Sequence, residues 1–510
     1  MRITNSMVFN SSLNNIWRNA RHLNNLVTQI ETTQRIQRPS EDPMMANRAL
    51  RYRTILSENE QFTSNNERGL AWMEVSEASF LNLLVGTPSN PSILQRTHNR
   101  LLQASQTGSN YIEDQRGMIN EMRQFLYQMT RIEMNQSYMG RYVFAGFHTD
   151  QPPVLHQDRP NASYVIQQTF NRNDIETVIT FYRSSPTELP APREGVHILK
   201  LPFAGEGLTF PGTNIMPGAT GVPPFGIVGP PPANLQFHII EFETANEHDA
   251  YLPDAEYNGF PVIHFIRETG ELVMHTDTKE IFQDGTTVTF QQDGLRAGDL
   301  NPRIYFPSWD ISGYPGTPLT AQQHFDVGGV LAGNNRQNIE LEVSVNSYVT
   351  VNSLARDIVT DKLFADMRRL IAFADSLVSS DPLAVREHFA ATYSGYALDR
   401  AVSTFLSNEA QKFAGAMHDR IDNMLESIER HINQAQTQHT NLGSRMNRMD
   451  MIQIRLEEDD VAYTSLLSET IDTDISGTIV RKNGAEAAFQ NALFAISRAT
   501  QLSLADFINR

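Results

Sequence analysis

The first thirty residues form a narrow apolar line on an otherwise polar segment. The apolar positions recur at alternating steps of four and three, a spacing typical of a coiled-coil seam rather than of the broader face of a globular helix. This set, the N-terminal seam, consists of Phe9, Leu13, Ile16, Ala20, Leu23, Val27 and Ile30. The opposite face is rich in Ser and Asn. Because one helix cannot bury such a seam on itself, the pattern predicts a helical partner.

The other end of the chain has the same spacing. A predicted helix from about 465 to 508 carries the C-terminal seam, which consists of Phe489, Ala492, Ile496 and Ala499. If the two ends pair, the chain is a hairpin with its remaining segments outside the pair. The alternative is two unrelated surface helices of one globular domain.

A rigid turn is predicted after the first helix, which we expect to end near Thr32. The turn is marked by Pro39, Ser40, Asp42 and Pro43. Asp42 is a good N-cap, and a proline at the first helical position loses no needed N–H group. The helices predicted beyond it cover 43–84, 93–105, 112–136 and 354–378. Asp381 and Pro382 are expected to end the last of these and to cap the next helix. The segment 57–68 is nearly all polar and is expected to kink or to lie exposed.

A third seam, the long seam, keeps the same spacing over forty residues near the C-terminus. Its polar members suggest that it sets a helix register or is incompletely buried. Acidic residues at 457–460 are expected to separate it from the terminal helix. Its members are Met417, Ile421, Met424, Ile428, His431, Ala435, Gln438, Leu442, Arg445, Met449, Ile452 and Leu456.

The middle of the chain has a different composition. Residues 150–345 contain most of the 25 prolines and of the 29 glycines, which rules out long helices and favours short strands joined by turns. A strand or hairpin is predicted at 142–147, and strands are predicted at 178–182, 235–242, 262–266 and 288–290. A loop or linker at 221–232 divides the middle segment into two possible lobes.

The charge of the chain limits the kinds of partner that it is expected to bind. The formal net charge is −17, and residues 150–345 alone carry 24 acidic and 10 basic side chains. Nucleic-acid binding depends on basic patches, so it is not expected. No apolar run is long enough for a membrane span, and the N-terminus has no secretory signal pattern. The absence of cysteine excludes disulfides and would suit export of an unfolded chain.

Several short motifs occur in order and cover most of 1–153 and 354–510. They are MRIT at 1–4, RIQRPSEDP at 35–43, GLAW at 69–72, GRYVFAGFHTDQPP at 140–153, LGSRMNR at 442–448 and SLADFI at 503–508, with a weaker match at 285–299. Together these motifs resemble one flagellin-like family, the flagellar hook–filament junction proteins, also called third hook-associated proteins. Thr33 stands where the family usually has glycine, so the first helix is expected to run on or to end differently. The segment 381–408 is longer than usual.

The resemblance implies a mainly α fold with an inserted β-rich domain. The terminal helices would form an inner coiled-coil pair, with a long-helix bundle next to it and the β-rich outer domain between the two helical halves. The implied domains are 1–42 and 463–510 for the coiled coil, 43–149 and 346–462 for the bundle, and 150–345 for the insert.

The resemblance also implies a function. The chain would be a structural adaptor that forms the layer between hook and filament on which flagellin polymerises. It would reach the extracellular flagellum through the flagellar channel without a cleaved signal peptide. The implied partners are other copies of the chain, the other hook–filament junction protein, flagellin and a flagellar export chaperone, and neither nucleic acid nor membrane. The alternatives are flagellin itself, or a surface adhesin built on the flagellin scaffold.

An enzyme would need a site, and the sequence contains no phosphate loop, nucleophile elbow or zinc-protease motif. We therefore expect no catalytic residues, no cofactor and no metal. The densest group of possible metal ligands lies at 241–249, where a solvated acidic turn is the simpler interpretation. It comprises Glu241, Glu243, Glu247, His248 and Asp249.

Overall fold

The computed structural model describes the chain apart from 1–4, 88–89, 107–111, 183–190, 211–225, 229–236, 245–248, 255, 258, 313–324, 327–336, 378 and 509–510. Both helices and sheets are present, as the sequence predicts. The helices are α1 (Asn5–Thr32), α2 (Pro43–Phe80), α3 (Ile93–Gln106), α4 (Ile112–Tyr127), α5 (Thr276–Ile281), α6 (Pro302–Tyr305), α7 (Ala355–Ile358), α8 (Asp361–Ser376), α9 (Pro382–Ala390), α10 (Gly395–Ile471) and α11 (Ile475–Ile508). Single π-helical segments, Leu81–Val85 and Gln128–Glu133, extend α2 and α4.

The strands fall into two larger sheets and three short hairpins. They are β1 (Gly86–Thr87), β2 (Asn90–Pro91), β3 (Ser137–Tyr138), β4 (Arg141–Tyr142), β5 (Arg159–Phe170), β6 (Glu176–Tyr182), β7 (Ala191–Lys200), β8 (Leu208–Thr209), β9 (Gly226–Val228), β10 (His238–Phe242), β11 (Glu256–Tyr257), β12 (Phe260–Ile266), β13 (Glu271–Met274), β14 (Thr286–Leu295), β15 (Ser308–Asp310), β16 (Phe325–Asp326), β17 (Glu340–Ser344) and β18 (Ser347–Thr350). One sheet has the order β10-β12-β13-β7-β6 with β11 beside β12, and the other β16-β15-β5-β14-β8 with β9 beside β14.

The chain divides into two compact units. Unit 1 comprises Met1–Glu67, Glu342–Tyr348 and Met449–Arg510, and unit 2 comprises Arg68–Leu341 and Val349–Arg448. Helices α2 and α10 contribute to both. Unit 2 therefore holds the two larger sheets together with α3, α4, α8 and α9. The five predicted domains remain a prediction.

Two phenylalanines join the two larger sheets, Phe203 after β7 and Phe210 after β8. The Phe210 ring lies 4.8 Å from that of Phe265 on one sheet and 6.3 Å from that of Phe290 on the other. Phe203 also approaches Phe290, at 6.3 Å. All of these side chains are buried. The described part of the insert thus shares one apolar core between its sheets.

Two predictions about the insert were incomplete. The strand or hairpin predicted at 142–147 is a hairpin, but it lies earlier, between β3 and β4, and ends at Tyr142. Val143, Phe144 and Ala145 follow it outside any strand and are fully buried. The reason is a turn at Gly146, whose φ of 63° a side chain rarely adopts. Strands β5, β7 and β13 were not predicted, and most of the predicted 221–232 loop lies outside the described residues.

Helix starts follow the predicted capping chemistry. The Asp42 carboxylate accepts hydrogen bonds from the backbone N–H groups of Met44 and Met45, both at 3.1 Å. Asp381 does the same for α9, which begins at Pro382. The single helix predicted at 354–378 is instead two, because Thr360 starts α8 by accepting from the Leu363 N–H at 3.2 Å.

Thr33 ends α1 in a left-handed conformation. Its φ is 57°, the region in which a glycine C-cap is favoured and a β-branched residue is strained. The helix therefore ends at Thr32, where the turn was expected, and does not run on. A main-chain hydrogen bond helps to hold the strained residue, because the Thr33 carbonyl accepts from the Thr473 N–H at 2.9 Å.

We expect Thr33→Gly to stabilise unit 1. Relief of left-handed strain is worth about 1–2 kcal/mol, and the greater freedom of glycine in the unfolded chain costs about half of that, so the net gain is about 0.5–1 kcal/mol. Urea unfolding followed by Trp17 fluorescence measures it. Thr28→Gly inside α1 is the control and should destabilise by about 1 kcal/mol. A loss of stability on Thr33→Gly would contradict the assigned conformation.

Most members of the long seam are buried, and Gln438, Arg445 and Ile452 are half-buried. The His431 Nδ1 lies 3.1 Å from the Thr360 hydroxyl, and the Arg445 guanidinium donates to the carbonyls of Thr350 and Asn352 at 3.0 and 2.7 Å. Both residues therefore fix the segment that returns from the insert against α10. The seam is thus incompletely buried at three positions, and two of its polar members bind that segment.

The expected break at 457–460 was wrong, because α10 continues through it to Ile471. Charged residues there lie on the solvent side and support the helix locally. Asp459 is ion-paired with Arg455 one turn earlier, and Glu457 accepts a hydrogen bond from the Gln453 side chain at 2.9 Å. A run of acidic residues is therefore compatible with an uninterrupted helix.

Burial makes His431 a source of acid sensitivity in unit 2. Desolvation lowers its pKa to about 4, with Asp366, Asp174, Arg430 and Lys362 as the charged neighbours. The unfolded chain then binds a proton near pH 6.5 that the folded chain does not, so stability falls as the pH drops from about 6.5 towards 4. The loss in free energy of unfolding attributable to the His431 imidazole is about 3 kcal/mol at most.

We expect His431→Gln to make the free energy of unfolding depend less on pH between about 4 and 6.5. The measurement is chemical unfolding at several pH values, comparing the variant with the parent so that carboxylate titrations cancel. His418→Gln, on the exposed side of α10, should leave the profile unchanged. Identical slopes for the parent and His431→Gln between pH 4 and 6.5 would exclude His431 as the cause.

Candidate assembly surface

The two terminal helices of unit 1 pack against each other. Helix α1 contacts helix α11. The described members of both seams are half-buried rather than buried, and the side chains of Phe9 and Ala499 lie outside the description. These half-buried members are Leu13, Ile16, Ala20, Leu23, Val27, Ile30, Phe489, Ala492 and Ile496. Pairing within one chain therefore covers only part of each seam, and the seams' role in assembly stays a prediction.

Main-chain contacts between the end of α1 and the start of α11, which we call the clasp, join the two helices. Gln34 and Asp472 form an antiparallel bridge between the end of α1 and the start of α11. The Arg35 N–H donates to the Ile471 carbonyl at 2.6 Å. Because these are main-chain bonds at fixed positions, the clasp sets the register in which the two helices meet.

The turn after the clasp is closed by its own hydrogen bonds. The Glu41 N–H donates to the Arg38 carbonyl at 3.0 Å, and the Glu41 carboxylate accepts from the Gln37 N–H at 3.0 Å. Pro39, Ser40 and Pro43 are exposed there, and Asp42 is half-buried as the cap of α2. The capping role of Asp42 is confirmed, whereas a hinge function for this turn is untested.

Helix α11 exposes a second apolar face that the seam pattern missed. Val480 and Phe494 are 71% and 70% exposed, and Leu493 is 45% exposed. On α1, Trp17 is 63% exposed. The signal was available in the sequence, because 492–496 is an unbroken apolar run that a one-sided helix does not need. A helix that is apolar on several faces is normally buried by neighbours.

Polar residues of α2 hold that helix on α10 within unit 1. Asn59 and Asn66, seven residues apart, donate to the carbonyls of Leu456 and Met449 at 2.7 and 3.1 Å, and Asn66 also donates to the Gln453 side chain at 2.9 Å. The segment 57–68 was expected to kink or to lie exposed, and it is part of one continuous helix with many exposed side chains, but Asn59 and Asn66 are buried. Its heptad-spaced asparagines face the partner helix, where their side-chain N–H groups bond to main-chain carbonyls.

The acidic group at 241–249 does not form a metal site in the described residues. Glu241 is ion-paired with Arg267 at 2.8 Å, and Glu247 and His248 lie outside the description. Across the described part of the chain, no three His, Cys, Asp or Glu side chains are arranged to hold a metal ion. None of the described helices is long and apolar enough to cross a membrane.

Comparison with known proteins finds similarity over part of the chain. Residues 3–149 match the model of the bacterial flagellin N-terminal helical region. Flagellar hook-associated protein 3 of Salmonella typhimurium is 24% identical over 154 residues, which are 30% of this chain and 46% of that protein. The match thus spans about half the length of this relative.

Solved structures of flagellar proteins are also found, at low similarity. The flagellar junction protein FlgL from Legionella pneumophila has 10% identity and a TM-score of 0.29, with 84% of this chain and 100% of that chain covered. Xanthomonas campestris FlgL has 11% identity and a TM-score of 0.28, with 82% and 99% covered. Over residues 3–149 this chain is therefore similar to the bacterial flagellin N-terminal helical region, and over 154 residues it is similar to flagellar hook-associated protein 3.

Proposed function

We propose that this chain is a structural adaptor of the bacterial flagellum, which forms the junction layer between hook and filament on which flagellin polymerises. The observation that carries the proposal is the half-buried pair of terminal helices, one of which lies in the flagellin N-terminal helical region. A pair that covers only part of its apolar surface fits a subunit whose neighbours cover the remainder. The protein acts by assembly and not by catalysis.

The exposed apolar side chains give this assembly a driving force. Trp17 on α1 and Val480 and Phe494 on α11 are more than half exposed in the single chain. Covering each aromatic side chain would contribute about 2 kcal/mol per subunit. Since every copy in a layer makes the same contact, the effect is repeated around the layer.

The proposed arrangement follows the order of the chain. The terminal helices form the inner coiled-coil layer, the long helices pack outside it, and the β-rich insert faces outward. Other copies, the second hook–filament junction protein and flagellin contact the layer. An export chaperone holds the chain before it passes through the flagellar channel to the extracellular flagellum.

Flagellin itself is the second candidate, because the matching family model is that of flagellin. A filament subunit is needed in bulk, whereas a junction layer needs few copies. Quantitative mass spectrometry of sheared flagella therefore separates the two. We expect this chain to be scarce relative to the major filament protein.

Deletion of the gene tests the proposal directly. Cells without this chain should carry hooks that lack filaments and should release unpolymerised flagellin into the medium. Complementation with the full chain should restore filaments. Normal filaments in the deletion strain would refute the junction role, and loss of the only filament protein would favour the flagellin alternative.

A further inference from the structure

Unit 2 contains a cleft of about 520 Å³ whose charged lining is mainly arginine. It lies between the end of α4, the turn after β14 and helix α8. We call it the arginine cleft. Its arginines are Arg123, Arg131, Arg296 and Arg368, and its carboxylates are Asp299 and Asp375. A cationic cleft stands out in a chain whose net charge is −17.

Two of the four guanidinium groups are neutralised inside the cleft. The Arg368 Nη1 lies 2.8 Å from the Oδ1 of Asp299, whose side chain is largely buried. Arg123 is ion-paired with Asp375. These pairs use both carboxylates of the lining, so they leave the remaining arginines without an acidic partner.

Arg131 and Arg296 are these remaining cations. Among the described residues, no carboxylate lies within ion-pairing distance of either. The Arg131 guanidinium lies over the Tyr127 ring, 5.4 Å from its centroid, which orients the guanidinium plane while leaving its N–H edge unused. Five N–H donors in a planar fork match the oxygens of a carboxylate or phosphate.

The turn that carries Arg296 brings the two cations to the same part of the cleft. It is closed by the Arg296 N–H, which donates to the Asp299 carboxylate at 2.8 Å. Gly298 in this turn has a φ of 97°, and a Cβ there would come within 2.7 Å of an Arg131 nitrogen. The glycine therefore allows the Arg131 side chain to lie directly against the Arg296 turn.

We propose that the arginine cleft binds an oxyanion, a carboxylate- or phosphate-bearing group held by Arg131 and Arg296. The lining supplies two uncompensated positive charges, oriented donors, and a volume within the range of small-molecule sites. The group is either a free anion or the acidic side chains of a neighbouring copy. The second source rests on the proposed function, and the first does not.

The test is calorimetric titration of the full chain with citrate and with inorganic phosphate, at constant ionic strength set with sodium chloride. For citrate we expect a Kd of about 1 mM, because citrate is small and the cleft is open to solvent. The double variant Arg131→Gln/Arg296→Gln should bind at least tenfold more weakly. Arg48→Gln/Arg51→Gln, which removes the same charge from the exposed face of α2, should bind like the parent. Equal binding by all three proteins, or binding by none, would overturn the proposal.

Sedimentation of the same proteins at low and high salt identifies the source. Salt-sensitive self-association of the parent that the cleft variant lacks would assign the site to a neighbouring copy. Citrate or phosphate binding without such association would assign it to a free anion. If the deletion strain grows normal filaments while the protein binds citrate, the junction role is refuted and the oxyanion site is retained.

Discussion

Replacing Ile16 by Asp is expected to abolish filament growth while leaving unit 2 folded. Ile16 lies at the centre of the N-terminal seam and is half-buried against α11 in the single chain. In an assembly, neighbouring copies would bury it further, and a carboxylate at this point would be desolvated at a cost of several kcal/mol. Because each copy of the layer carries the same change, the costs accumulate. The expected phenotype is a hook without a filament and flagellin in the medium.

Asn15→Asp is the matched control, because it adds the same charge to the exposed face of α1. It should assemble nearly as well as the parent. Both variants must be shown to be exported, since a block in export would also remove filaments. Tryptophan fluorescence reports on the two units separately, because Trp17 lies in unit 1 and Trp72 and Trp309 lie in unit 2.

Two results would count against this interpretation. Normal filaments with Ile16→Asp would make the seam peripheral to assembly. A large fall in the melting temperature reported by Trp72 and Trp309 would show that α1 belongs to an ordinary folded core. The parent should also show Trp17 becoming protected from an aqueous quencher on assembly, because that side chain is 63% exposed in the free chain.

Lys200→Met is expected to destabilise unit 2 by about 3–5 kcal/mol at neutral pH, because it leaves buried charges without a partner. The Lys200 side chain is only 11% exposed, and its Nζ lies 2.6 Å from Glu176 and 3.2 Å from Asp366. Asp366 also accepts a hydrogen bond from the Ser427 hydroxyl at 2.5 Å. Methionine preserves the volume but not the charge, so two carboxylates would face each other in a poorly solvated site.

The loss should shrink as the pH is lowered, since one of the two carboxylates can then take up a proton. Guanidinium unfolding followed by Trp309 fluorescence measures it. Lys279→Met is the control on the same part of the insert. Its ammonium group donates to the Thr177 hydroxyl at 3.1 Å and to no carboxylate in the described residues, so the cost should stay below about 1 kcal/mol. Similar losses for the two variants would mean that the charge cluster does not stabilise the fold.

The same cluster shows that the insert is an integral part of unit 2. Lys200 and Glu176 lie on strands, whereas Asp366 and Ser427 lie on α8 and α10. A second buried contact has the same character, because Arg369 of α8 donates to the Leu201 and Phe203 carbonyls at 3.2 and 3.3 Å. Removing 155–340 would leave these helix residues buried without partners or newly exposed. We therefore expect such a deletion to destabilise unit 2.

The sequence alone determined the features that depend on neighbours along the chain. The seams of α1 and α10, the Asp42 and Asp381 caps and the helical ends of the chain all follow from residue spacing and local capping, which act within one or two turns. The change to strands after Gly140 follows from proline and glycine content. The motifs of 1–153 also indicated the resemblance to flagellin-like proteins, and residues 3–149 match the model of the bacterial flagellin N-terminal helical region.

Tertiary structure decided the features that depend on distant partners. Asn59 and Asn66 look like solvent-facing residues until α10 supplies carbonyls 397 and 383 positions away. Arg131 and Arg296 come together only because the turn after β14 lies against α4 and α8. Strands β7 and β13 were missed because a strand's pairing partner, and therefore its burial, is not encoded in its own few residues. Thr33 shows the same principle within the backbone, since only its bond to Thr473 explains how a strained residue is retained at the end of α1.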